Sequence, residues 1–320
     1  MKGAMEHDLA YLQGAHRRIA RHIHRTPLWR SRALSDRAGC EVYVKAELFQ
    51  KTGSYKPRGM LWKVFSLSHA ELDAGVITFS AGNAAQGLAY AGGIAGTRAA
   101  VVMPETASPI KVEATRGYGG EVILRGNAAE CLAHCLELAR DRGLTFVSSY
   151  DDDTLMAGHA SLGLEIFEDL PDVRAIFVGI GGGGMMGGLA MALRAQGSTA
   201  RLIGVEPAGA AAMHQSLQEG RPVRLDQVKT IADGLAAPTA GTRCFELARE
   251  RLEKVVVVSD EQIRDAMRLL MARAKLMAEP AGAAALAGLL AADHGFTTVD
   301  QVAVVVSGGN IDLPRLKDLL

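Results

Sequence analysis

A lysine, a serine and two further glycine-containing turns are the features of this 320-residue chain whose residue types and spacing could do chemistry. The longest turn reads Val178-Gly-Ile-Gly-Gly-Gly-Gly-Met-Met-Gly-Gly188. Without Cβ atoms, the backbone N–H groups of Gly181, Gly182, Gly183, Gly184 and the following Met185 can converge on an anion, and a helix starting there adds its positive end. That is a phosphate cradle, although read alone the run is equally a tight turn. No Gly-Lys-[Ser/Thr] follows, so it is not a P-loop, and it fits a dinucleotide fingerprint only because it is nearly all glycine. A second turn, Ser80-Ala-Gly-Asn-Ala-Ala-Gln-Gly87, offers a hydroxyl, an amide and N–H groups. Ser80 or Asn83 either caps a helix there or helps to hold a substrate carboxylate. The third turn, Ser307-Gly-Gly-Asn310, follows a valine run and by itself reads as a chain-terminal turn. The lysine, Lys56, lies in Lys45-Ala-Glu-Leu-Phe-Gln-Lys-Thr-Gly-Ser-Tyr-Lys-Pro-Arg-Gly59. Without that context it would be a solvated surface charge.

These turns need strands to place them. Short β-branched runs at Gly75–Phe79, Ala99–Met103, Glu121–Leu124, Ala175–Ile180, Arg201–Val205 and Val302–Val306 alternate with helical segments, which predicts a parallel α/β architecture. Val302–Val306 is apolar on both faces, as a central strand covered by helices above and below must be. Ser108-Pro109 predicts a helix start before Lys111–Tyr118, and Ser259-Asp260-Glu261 another before the stripe Ile263, Met267, Leu270. All three glycine turns follow predicted strands, where open α/β sheets bind ligands.

Composition narrows the classes. With 48% hydrophobic residues the chain can bury a large core, and 35 Lys+Arg balance 35 Asp+Glu, leaving no overall field to attract nucleic acid or anionic lipid. The N-terminal segment lacks the apolar stretch of a signal peptide, and the greasiest run, Pro280–Ala292, stops at Asp293 short of a membrane span. The expectation is a cytoplasmic protein. Four cysteines, without a Cys-x-x-Cys pair, make no disulfide framework, and Cys131 and Cys135 read as ordinary buried residues.

The lysine segment resembles the Ser-Phe-Lys-x-Arg-Gly signature of the threonine/serine dehydratase branch of the tryptophan-synthase-like (fold type II) pyridoxal-phosphate enzymes. The Ser-Ala-Gly-Asn turn, the tetraglycine and Ser307 follow in that branch's order. Further matches are Val102-Met-Pro-Glu105, Lys111-Val-Glu-Ala-Thr-Arg-Gly-Tyr-Gly119, Thr230-Ile-Ala-Asp-Gly234 and Glu279-Pro-Ala-Gly-Ala283, so the resemblance runs from about Thr26 to Asp312. It implies two open, twisted, parallel-rich sheets flanked by helices. A small domain, 73–145, would be inserted into a large one formed by 1–72 and 146–320.

The resemblance also implies pyridoxal 5'-phosphate as cofactor, with Lys56 as its Schiff-base lysine and afterwards the base that removes the substrate α-proton. Tyr55 would pack on the ring, Asn83 bond its phenolic oxygen, Gly181–Gly184 and Met185 hold the phosphate, and Ser307 face the pyridine nitrogen. A hydroxyl cannot stabilise a proton on that nitrogen by opposite charge, which favours loss of a β-hydroxyl over transamination. Ser80, Ala81, Asn83 and Ala84 would line the substrate side. The implied substrate is a small L-β-hydroxy amino acid, most simply L-threonine or L-serine, and the implied assembly a homodimer or homotetramer.

Departures from the pattern matter. Racemases of the branch carry a serine where Ala81 stands, so elimination is expected over racemisation. Ala84 stands where histidine is common, Ser148-Ser149-Tyr150 replaces a proline-containing segment, and His159 replaces a usual glutamine. A family cation site would use Glu206, the carbonyl of Ala210 and an acidic residue at position 212, but Ala212 lacks the carboxylate, so weak metal binding or none is expected.

Overall fold

The computed structural model describes residues 7–127 and 130–320. Its first sheet has six strands, β1 (Leu28–Arg30), β2 (Glu41–Ala46), β7 (Ala175–Gly179), β8 (Arg201–Pro207), β9 (Leu252–Val258) and β10 (Gln301–Val306), in the order β1-β2-β10-β7-β8-β9. Only β1 runs antiparallel to its neighbour. The second sheet, wholly parallel, is formed by β3 (Val76–Phe79), β4 (Ala99–Met103), β5 (Glu121–Leu124) and β6 (Thr145–Phe146), in the order β5-β4-β3-β6.

The period of two in β10 explains its central place. Val302, Val304 and Val306 enter one core with Ala175 and Phe177 of β7 and the helix Pro280–Ala291, whereas Ala303 and Val305 enter the opposite core with Ile176, Val178 and the helix Gly184–Ala195. A strand buried on both faces cannot afford an outward polar row, hence the unbroken apolar run. The alanine and glycine content of Pro280–Ala291 lets it lie close on the sheet: a Cβ at Gly288 would come within 2.2 Å of Val205. Cys131 and Cys135, on the helix Cys131–Arg142, fill the core beneath Ile77, Ala100 and Val102.

The chain leaves β3, β7 and β10 at their C-terminal ends directly into Ser80–Gly82, the tetraglycine and Ser307. The predicted strands and both predicted helix starts are present, as Pro109–Gly117 and Asp260–Leu269. Among the described residues no helix is long and apolar enough to cross a membrane.

Candidate active site

Lys56 is the first residue of the helix Lys56–Phe65, where Pro57 fits because its fixed φ and missing N–H suit a first turn. The chain reaches it from β2 through a sharp turn in which Thr52 and Gly53 take φ of 63° and 70°. Ser54 then bridges to Gly308, and the Tyr55 N–H donates to the Ser307 carbonyl at 3.1 Å. The lysine and serine turns are thus stitched together. The Lys56 Nζ donates to the Ser149 carbonyl at 2.7 Å and lies 5.1 Å from the centre of the Tyr55 ring.

The tetraglycine faces Tyr150, the residue after Ser149. A Cβ on Gly182 would meet the Tyr150 ring at 2.3 Å, and one on Gly184 would meet the Tyr150 backbone at 2.8 Å. Gly183 takes φ +106°, and Cys244 closes in where its Cβ would be. The N–H groups of Gly181 to Met185 find no acceptor within the described chain, while the helix that begins at Gly184 adds its positive end. These unpaired donors, the nearby lysine amine and the buried, unpartnered hydroxyl of Ser54 suit a phosphorylated aldehyde such as pyridoxal 5'-phosphate. Ser307 is 5% exposed, and its hydroxyl makes only a long 3.4 Å bond to the Ala281 carbonyl.

Asn83 opens the helix Asn83–Ala95, and neither it nor Ser80 caps that helix: Gly82 is the cap residue, and Ser80 Oγ accepts the Gly82 N–H at 3.1 Å. The Asn83 Nδ2 donates to Glu279 at 2.6 Å and its Oδ1 accepts from Asn310 at 2.7 Å. Ala84 is buried in a cluster with Met60, Leu61 and Leu88. Ala81 instead lines a cavity of about 300 Å³ whose walls include Lys111, Glu279, Asn310 and Arg315 but not Lys56.

The support of Lys56 is not encoded in local spacing. Two residues on, the fully buried Arg58 binds Glu47 through Nε and Glu165 through a terminal nitrogen, each at 2.8 Å, and Lys45 reaches Glu165 at 2.6 Å. Two positive and two negative groups therefore cancel inside the protein. Burial pushes the Glu165 carboxyl up, but Arg58 and Lys45 outweigh it and hold it below the ordinary range. This anchors the first turn of the lysine helix to Glu47, the residue just after β2, and to the helix Asp153–Asp169. His159, on that same helix, is 1% exposed, packs on Tyr55 with ring centres 4.8 Å apart, and has no partner for either nitrogen. Burial, then Lys56 and Arg58, push its imidazole well below the usual 6.5. Gly59 is small because the His159 ring occupies the space its Cβ would need, at 2.4 Å.

Glu206 points elsewhere. Its carboxylate accepts the N–H groups of Met213 and His214 at 2.9 and 2.8 Å, so it binds the start of the helix Ala212–Glu219. Ala210 and Ala212 are buried beside it, and the described residues hold no cluster of three or more His, Cys, Asp or Glu suited to a metal.

Residues 19–308 match the family profile of pyridoxal-phosphate dependent enzymes. The chain is 42% identical over 307 residues to an L-threonine ammonia-lyase of Geobacter sulfurreducens, covering 95% of this chain and 76% of that protein. The processed form of threonine deaminase isoform 2 from Solanum lycopersicum superposes with a TM-score of 0.90 at 36% identity, covering 98% of this chain and 93% of that one. Maize serine racemase superposes with a TM-score of 0.93 at 32% identity, covering 98% and 96%.

Proposed function

The chain belongs to the pyridoxal-phosphate-dependent enzymes, and from that premise we propose that it converts L-threonine to 2-oxobutanoate and ammonia by losing water and then taking water up again. The observation that carries the proposal is the set of unpaired N–H groups from Gly181 to Met185, close to the Lys56–Ser149 contact through Tyr150. When bound, pyridoxal 5'-phosphate supplies an electron-withdrawing ring joined to the substrate nitrogen, which makes the α-proton acidic enough for an amine to remove.

The chain's own residues do the rest. Lys56 anchors the cofactor and, once released as an uncharged amine, takes the α-proton. Gly181–Gly184 and Met185 hold phosphate; Tyr55 packs at the ring; Asn83 and Ser307 address its oxygen and nitrogen. Ser80 and Ala81 border the substrate. Ala81 offers no proton to the face opposite Lys56, so the β-hydroxyl leaves in preference to inversion at Cα. Residues 73–145, carrying the second sheet except for Phe146 at the end of β6, act as a small domain that closes on the large one formed by 1–72 and 146–320. A homodimer or homotetramer in the cytoplasm belongs to the same proposal and is open to sedimentation and cell fractionation.

The test is to load purified protein with cofactor, offer L-threonine, L-serine and bulkier 3-hydroxy amino acids, and assay 2-oxo acid and ammonia together. Equal amounts of both from L-threonine are expected. Absence of 2-oxo acid from the whole panel would refute the proposal.

A further inference from the structure

Glu279 is the residue before the helix Pro280–Ala291, yet its side chain does not cap that helix. It is 3% exposed and accepts from Asn83 Nδ2 at 2.6 Å. Asn310 in turn donates to Asn83 Oδ1 and to the Thr52 carbonyl, both at 2.7 Å. Asn83 comes directly after β3 of the second sheet by way of Ser80–Gly82, whereas Glu279, Asn310 and Thr52 belong to the body built on the first. A hydrogen-bonded chain of side chains therefore joins the two bodies at Asn83. Space is reserved for it, since a Cβ at Gly308 would lie 2.3 Å from Glu279 Oε1.

The neighbouring charges do not neutralise Glu279. Lys111 and Arg315 both bind Asp233, at 2.7 and 3.0 Å, and Asp312 lines the same cavity. Asn83 cannot neutralise it either, being an amide. A buried carboxylate with only an amide donor is poorly compensated, whereas a buried carboxylic acid is not.

We propose that Glu279 is a positioning residue for Asn83: it fixes the Asn83 amide, leaves its second N–H for the ring oxygen, and latches the second sheet against the first most firmly when Glu279 carries a proton. This rests on the reading of Asn83 given above. The sign follows from burial, which pushes the Glu279 carboxyl up to about 7 from an ordinary 4.5. Opening the latch returns the carboxyl towards water and its ordinary acidity. The closed form thus binds the proton more readily, and closure weakens as pH rises from the ordinary value towards 7, then levels off.

Amide hydrogen exchange in the helix Asn83–Ala95, on protein without cofactor or substrate, reads this latch directly. After correction for intrinsic exchange, protection of the first turn should fall by about tenfold or more between about pH 5 and pH 7.5 in the wild type. Glu279→Gln, which keeps an oxygen for Asn83, should hold one protection level across that range, and Glu279→Ala should lose protection at both ends. With cofactor and L-threonine, KM should follow the same slope while kcat does not. Wild-type protection that ignores pH, or a Glu279→Gln slope equal to that of the wild type, overturns the proposal. The exchange experiment needs no turnover, so its failure is separable from failure of the substrate assignment.

Discussion

The Lys56 amine rests on the Ser149 carbonyl, 2.7 Å away, and the next residue, Tyr150, lies across Gly182 of the tetraglycine. Two turns from distant parts of the chain therefore both contact the Ser149–Tyr150 pair.

Gly182→Ala tests that contact. Its new Cβ would overlap the Tyr150 ring at 2.3 Å, and overpacking of this kind costs about 1–3 kcal/mol. Cofactor affinity, followed by absorbance titration, should fall by about ten- to a hundredfold. Unchanged affinity would place the phosphate elsewhere.

Removing one partner of the Arg58 cluster should cost stability out of proportion to its distance from the chemistry. Glu165→Gln leaves Arg58 and Lys45 facing a single carboxylate, Glu47, with no exposed surface to relieve them. The loss should be about 3–5 kcal/mol, seen in chemical denaturation with a lowered midpoint. A loss below about 1 kcal/mol would mean that water enters the cluster.

His159 is expected to make the folded protein acid-sensitive. Its imidazole is held well below the usual 6.5 by burial, Lys56 and Arg58, so it stays neutral while the unfolded chain takes up a proton. That contribution to stability is present above pH 6.5 and is lost as pH falls, by about 1.4 kcal/mol per pH unit, until the folded form also protonates. Comparing thermal unfolding at about pH 5 and pH 7.5, the wild type should lose more than His159→Gln. Equal losses would show that His159 is already charged in the folded state.

Ala81→Ser should raise formation of the D-enantiomer from L-serine, measured by chiral chromatography beside pyruvate release. A hydroxyl facing the cavity beside Asn310 supplies an acid that the wild type lacks, an effect worth about a hundredfold when well placed. No D-serine in the variant would mean that position 81 does not face the reacting carbon.

Much of this was legible in local pattern. Val302–Val306 announced a central strand because both faces are apolar, and the glycine turns announced themselves because each follows a strand. The edge strand Leu252–Val258 was not evident, since Glu253 and Lys254 interrupt its pattern and its outer side faces solvent. β2 is not among the predicted strands either, and its Lys45 is buried only because Glu165, on a remote helix, pairs with it. Lys56 and the tetraglycine enter the proposed site through the resemblance carried by their neighbouring residues, since the glycine run alone is equally a tight turn. Ser149 is singled out only as part of a departing segment, and Glu279 and the Arg58 cluster have no role in the sequence reading, because their contacts are tertiary and local spacing does not encode them.

Lys56 is expected to carry the cofactor, and the enzyme to deaminate L-threonine. Cofactor-loaded protein treated with borohydride, digested and mapped by mass spectrometry tests this most directly, with 2-oxobutanoate release measured on the same preparations. A stable cofactor adduct is expected on the peptide containing Lys56 in the wild type, and neither adduct nor 2-oxobutanoate with Lys56→Ala. An adduct on another lysine, or undiminished turnover in Lys56→Ala, would contradict this.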